Sequence, residues 1–340
     1  ERRASAPRSR RNSGHIVTTQ APERAHDPGP PIPDSTDTTI RKRAPRRPGQ
    51  LGWLASTPAI IIGLLFTVGP LIIIVIFSFL SRPPQGGGVV YEFTLEPYIG
   101  FLFQSDFVGN TTFDPRYLSV FGDSLWQAFV TTAVCLLLSF PLALWMATRS
   151  AKLQNFLVLI VTIPFWTNLL VRTYAWMLIL NDNGIVNNAS DALGFGKMEL
   201  LYTPFASQLG LIYTFLPFMV LPIYASLAGF DFRLAEAAYD LGARKRTVIQ
   251  RIILPIATPG IISGVLLVFM PAFGSYVQPV LLGGGKVLLI GNLIASQFGD
   301  ARNWPFGAAL SVIILVMLLL ALMAIAFYSR KSGRKVEISL

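Results

Sequence analysis

Six stretches of this chain run for 25 residues or more with almost no charge: 48–81, 124–148, 153–180, 200–230, 252–285 and 303–329. Only Arg172 interrupts them. Roughly 20 apolar residues in a helix cross the ~30 Å hydrocarbon layer of a bilayer, so each stretch is long enough. Backbone groups in lipid must bond one another, so such runs predict helices rather than irregular chain. The expected fold class is all-α: a polytopic membrane protein with six transmembrane helices. A seventh apolar stretch, Val287–Gly299, has 13 residues. It is too short to span and is expected to form an interfacial or re-entrant piece.

Composition agrees. The chain is 52% hydrophobic and 14% charged, whereas a soluble domain carries about 25% charged residues. The net charge of +10 is not a nucleic-acid signal, because residues 1–50 alone hold 11 Lys/Arg against 5 Asp/Glu. With eight prolines and no aromatic residue, 1–50 is expected to be a disordered, basic, Pro-rich cytoplasmic tail. It has no apolar core of the kind a secretory signal needs. Arg41, Lys42, Arg43, Arg46 and Arg47 could touch anionic lipid. Residues 51–335 form the expected six-helix domain.

The absence of reactive side chains narrows the function. Cys135 is the single cysteine, and His15 and His26, the only histidines, lie in the tail. Neither a disulfide, a metal site nor a histidine-based catalytic group is expected in the membrane. The chain is therefore not expected to be an enzyme. A secondary transporter would need intramembrane carboxylates for ion coupling, and from 124 onward no acid falls within a run. Lys/Arg residues are counted to orient the chain. With the N-terminus inside, inner flanks hold 16 Lys/Arg and outer loops 5. Both termini are expected in the cytoplasm.

Helix breakers at depth suggest a path. The fourth run holds Pro217 and Pro222, and the fifth holds Gly264, Pro271, Gly274 and Pro279. Such residues free backbone groups, which is tolerated beside other helices or a wet cavity. Ordinary kinks and close helix packing account for the same residues equally well. Arg172 is an intramembrane charge, hence a candidate functional residue, although it could snorkel or pair with Asp182 or Asp123. Asn168, Arg172, Tyr174 and Trp176 in the third run, with Phe273, Tyr276 and Gln278 in the fifth, are the candidate solute path.

The segment between the fourth and fifth runs, 231–255, reads DFRLAEAAYDLGARKRTVIQRIILP. Asp231 can cap a short helix. Leu234, Ala235, Ala238 and Leu241 fall at helical spacing, expected on one face. Gly242 permits a sharp change of direction. Glu236-Ala237-Ala238, then three residues, Gly242, nine residues, Ile252, one residue and Leu254-Pro255 match the EAA motif without a gap. The chain thereby resembles permease subunits of binding-protein-dependent ABC importers. Phe93-Thr94-Leu95, the segment from Leu170 to Trp176, Pro217 to Pro222, Gln278 to Gly284 and Gly291 to Ile294 look like the spermidine/putrescine type.

The resemblance implies a type I ABC importer permease fold in a bacterial inner membrane. It also implies three partners: a second permease, usually homologous, a dimer of ATP-binding subunits, and an extracytoplasmic solute-binding protein. Glu236, Ala237, Ala238, Gly242, Leu254 and Pro255 would then couple to the ATP-hydrolysing subunit, which would bind ATP and Mg²⁺. No cofactor is expected in this chain: Gly283-Gly284-Gly285-Lys286 is followed by Val287 and lacks the hydroxyl of a phosphate-binding loop. The implied solute is a polyamine. Opines, other amines, organic anions and phosphonates are the alternatives.

Overall fold

The computed structural model describes residues 50–105 and 111–331. The tail expected over 1–50 lies, except for Gln50, outside the described residues. Contacts divide the chain into Glu1–Ala59, of which only the start of α1 is described, and Ile60–Leu340.

The elements run α1 (Gln50–Phe77), β1 (Leu80–Ser81), β2 (Val90–Phe93), α2 (Glu96–Ile99), β3 (Phe103–Ser105), β4 (Thr111–Phe113) and α3 (Arg116–Ala147). Then come α4 (Ala151–Thr162), a 3₁₀ turn (Ile163–Trp166), α5 (Leu169–Leu180), α6 (Ile185–Ala192), α7 (Pro204–Ala228) and α8 (Arg233–Asp240). Last are α9 (Lys245–Val248), a π turn (Ile249–Ile253), α10 (Leu254–Phe273), α11 (Val277–Leu281), α12 (Ile290–Phe298) and α13 (Trp304–Lys331). The four strands make two small antiparallel pairs, β1 with β2 and β3 with β4.

The core is α3, α7 and α10, which pack on one another. Between α3 and α7 three polar side chains cross at a constant offset. Gln208 Nε2 donates to Thr131 Oγ1 at 2.7 Å, the Cys135 thiol to the Ile212 carbonyl at 3.6 Å, and Ser139 Oγ to the Leu216 carbonyl at 3.4 Å. A fixed offset means the two helices run parallel and in register. Against α7, α10 runs antiparallel and very close: Gly260 meets the Pro222 carbonyl and Gly264 meets Met219. Small residues let membrane helices approach where no hydrophobic drive separates protein from lipid.

Five helices are long and apolar enough to cross a membrane, namely 57–77, 116–147, 204–228, 245–273 and 304–324. The third predicted run is not straight. It breaks into α4 with its 3₁₀ turn and α5 with α6, bent by 92°, and makes a sixth crossing when taken as one span. Pro164, which has no N–H to donate, opens the 3₁₀ turn. After extended Thr167, Asn168 starts a new helix by accepting from the Leu170 amide at 2.8 Å. The fifth run also differs: its helix begins earlier, at Lys245, and stops at Phe273, leaving α11 separate after Gly274. At nine residues α12 is far too short to span.

The face of α1 from Ile60 to Ile76 is apolar and exposed, as is most of α13 from Leu315 on. An apolar surface of this extent suits lipid or a neighbouring membrane helix.

Candidate functional site

The 231–255 segment folds as a helix, a turn and a second helix that enters the membrane span. Asp231 Oδ1 accepts from the Arg233 amide at 3.0 Å, so it supports the start of α8 as expected. The end of α8 is a two-bond C-terminal cap. The Gly242 amide donates to the Tyr239 carbonyl at 2.9 Å and the Ala243 amide to the Ala238 carbonyl at 3.0 Å. Gly242 sits at φ +81°, with open space where a Cβ would be. The position demands glycine for its backbone angle and not for room.

One expectation is corrected. Leu234, Ala235, Ala238 and Leu241 do not share a face. Ala235 is 5% exposed, and Ala238 packs against the main core. Leu234 is 60% exposed and Leu241 89%. The outward stripe is Leu234, Ala237 and Leu241, at i, i+3 and i+7, with Glu236 beside it, also exposed. Spacing alone allows either grouping over two turns. Size decides: the two alanines go where α8 must lie close to the core. Leu254 and Pro255 are exposed at the head of α10.

Gly242→Ala isolates the turn. An L-residue forced to positive φ costs about 1–2 kcal/mol, small for the whole chain but concentrated where α8 ends. We expect folded yield to hold and solute uptake to fall; unchanged uptake in vesicles would show that the exit geometry of α8 does not matter.

The candidate path residues separate into two groups. On α5, Asn168 caps the helix, while Arg172 and Trp176 lie one turn apart on one side. Trp176 meets Tyr213 of α7 edge to face at 5.5 Å. Tyr174 is exposed on another side of α5. Arg172 is half-buried, and its buried Nε has no hydrogen-bond partner. It pairs with neither Asp182 nor Asp123; among the described residues the ion pair is Arg116 with Asp114. In the fifth run, Phe273 is buried between Phe121 and Phe269. Gln278, also buried, is a clamp: its Oε1 accepts from Ser275 Oγ at 2.7 Å and its Nε2 donates to Thr214 Oγ1 at 3.0 Å. Tyr276 stays half exposed.

Sequence reasoning missed a cavity of about 540 Å³ at the opposite end of α7 from α8. Asn181, Asp182, Glu199, Tyr202 and Lys286 line it. They come from three separate loops, so no local pattern signals the site. Tyr202 is held at φ +60° with its ring against the backbone of Gly284.

Residues 139–332, which include the whole 231–255 segment, match the family of binding-protein-dependent transport system inner membrane components. The spermidine/putrescine transport system permease protein PotB of Haemophilus influenzae is 39% identical over 281 residues, 81% of this chain and 93% of that protein. The chain belongs to this family. PotB of Escherichia coli K12 is also 39% identical, covering 85% of this chain and 98% of its own length. The E. coli inner membrane ABC transporter permease protein YdcU is 31% identical, over 73% and 87%. A solved bacterial ABC transporter involved in the import of the acidic polysaccharide alginate has a chain of the same fold, with TM-score 0.64 at 18% identity, covering 83% of this chain and 95% of that one. Another structure shows the alginate transporter in complex with an alginate pentasaccharide-bound periplasmic protein, with TM-score 0.62 at 18% identity over 83% and 94%.

The chain is thus a permease subunit of an ABC importer, a multi-pass inner membrane protein that moves solute inward. Family membership implies an ATP-binding partner, a solute-binding partner and a second permease.

Proposed function

We propose that this permease imports a polyamine of the spermidine/putrescine class and takes mechanical work from its ATP-binding subunits through α8. The observation that carries the solute reading is 39% identity to spermidine/putrescine permeases across more than four-fifths of the chain. The cavity adds chemical support, because its two carboxylates, Asp182 and Glu199, outnumber its one cation, Lys286, and the Tyr202 face suits an ammonium group. The excess of Lys/Arg on one set of loops supports placing α8 and both termini in the cytoplasm, and the cavity at the outer mouth. In this reading the Leu234, Ala237 and Leu241 stripe seats in a groove of the ATP-binding subunit. Gly242, Leu254 and Pro255 then carry the motion into α10.

The test is uptake of radiolabelled spermidine and putrescine by vesicles holding the complete transporter. The double change Asp182→Asn with Glu199→Gln should raise KM by about three- to tenfold, since each exposed charge contributes up to ~1 kcal/mol. Saturable spermidine uptake that ignores both changes would remove the cavity from the path. Absence of polyamine uptake by the intact complex would refute the solute assignment.

A second reading has one observation behind it. The unpaired Arg172 guanidinium would attract an organic anion or phosphonate and repel a polycation. Uptake of such anions in preference to spermidine, abolished by Arg172→Gln, would favour it.

A further inference from the structure

From Lys245 to Phe273 the chain forms one long helix, but its bonding changes over Ile249–Ile253. There the Leu254 amide donates to the Ile249 carbonyl, five residues back. An α-helix would bond it to Gln250. Pro255 lies one residue on. Pro255 has no N–H for the Arg251 carbonyl, and in an α turn its ring would press on that carbonyl. A widened turn relieves the clash, and π turns of this kind recur at functional positions.

The extra residue changes which side chains face the core. Read back from Ala272, beside buried Phe273, the buried positions are Val268, Gly264, Gly260, Ala257 and Ile253, in steps of three or four. The next is Val248, five residues back and 1% exposed. In an uninterrupted α-helix five residues advance one turn plus about 140°, which would aim Val248 away from the core. It belongs instead to the same buried cluster as Ala235 of α8, while Ile249, at the ordinary four-residue step, only partly buries itself against that cluster. The π turn therefore brings the residue that seats α9 beneath α8 into phase with the long helix.

We propose that Pro255, by imposing the π turn, sets the rotational phase between α8 and α10, and so acts as a positioning residue for the transmission of force. The inference rests on the reading of α8 as the docking element. A push on α8 enters the long helix at Val248 and reaches α7 through the close contacts at Gly260 and Gly264. Relaxing the turn to α-helix would leave α8 out of phase by one residue, about 100°, and deliver the push to another face. Because Pro255 is exposed, shortening its side chain opens no cavity.

The experiment uses the complete transporter in proteoliposomes, with Pro255→Ala alone and with Pro255→Ala plus deletion of Gln250. The deletion removes the surplus residue and restores the phase without a π turn. Val248→Cys reports the phase, since a buried thiol is shielded from maleimide. We expect shielding with Pro255 present, labelling about tenfold faster with Pro255→Ala, and shielding again after the deletion. Spermidine taken up per ATP hydrolysed should fall about tenfold in the single variant and recover in the double one, within the range by which single residues modulate coupling. Unchanged labelling, an unchanged uptake-to-hydrolysis ratio in Pro255→Ala, or no recovery on deletion would each overturn the proposal. Failure of the docking reading is seen separately, as an ATP-binding subunit that stays bound when the exposed leucines of α8 are replaced. Failure of the solute assignment is seen in the unmodified transporter, and the labelling result does not depend on it.

Discussion

Leu234→Asp combined with Leu241→Asp is expected to release the ATP-binding subunit from the complex and to abolish uptake. Both leucines stand exposed on the outward side of α8, held there by Ala235 and Ala238 on the core side. Burying a leucine on docking contributes about 1.5–3 kcal/mol, and an unpaired carboxylate in the same place adds a desolvation cost. A joint loss above ~3 kcal/mol corresponds to more than about a hundredfold in Kd. Co-purification in detergent measures it directly, with ATP hydrolysis stimulated by the loaded solute-binding protein as the functional readout. The permease itself should keep its yield and thermal midpoint, because neither leucine contributes to its core. Ala235→Asp makes the contrast: it puts a charge into the core and should lower the yield of folded permease. A double-aspartate transporter that stays assembled and hydrolyses ATP normally would show that α8 is not the docking element.

The 231–255 segment was more legible than any other part of the sequence, because its motif combines residue type with spacing over twenty positions. It located Gly242 and the start of α8. It did not reveal which way α8 faces. Helical spacing alone groups these apolar residues together, yet the alanines are covered by the core, whereas the leucines are left exposed among the described residues. Hydropathy likewise carried the third run straight through Pro164 and Asn168, since a sum over apolar side chains does not register a bend. The π turn was foreshadowed only by Pro255, whose position in the motif was legible while its effect on phase was not. The candidate path residues Phe273 and Gln278 looked available because polar and aromatic groups in lipid invite a functional reading. In the folded chain Gln278 is satisfied by Ser275 and Thr214, and Phe273 by its aromatic neighbours. The cavity around Asp182 and Glu199 depends on three loops meeting, which local sequence does not encode.

Gly260→Ala is expected to destabilise the permease even though alanine is the better helix former. In a helix interior the exchange should gain about 1 kcal/mol from propensity alone. At Gly260 the added methyl would overlap the Pro222 carbonyl oxygen and crowd Ser226 Oγ at 2.5 Å. Ser226 Oγ can rotate away, but the Pro222 carbonyl is backbone and cannot yield cheaply. Overpacking of this kind costs about 1–3 kcal/mol, so the net should be a loss, with α10 pushed off α7. Gly63→Ala in α1 supplies the control: nothing lies within 4 Å of its added methyl, so only the propensity gain should remain. Thermal unfolding of the two variants in the same detergent should therefore move in opposite directions. The consequence for transport follows from the same contact. In the proposed docking reading, force entering α10 from α8 reaches α7 through a packed face that includes the close approaches at Gly260 and Gly264. A spacer there should reduce uptake more than it reduces the amount of folded protein. Equal shifts for Gly63→Ala and Gly260→Ala would mean that α7 and α10 do not approach as closely as the packing at Pro222 requires.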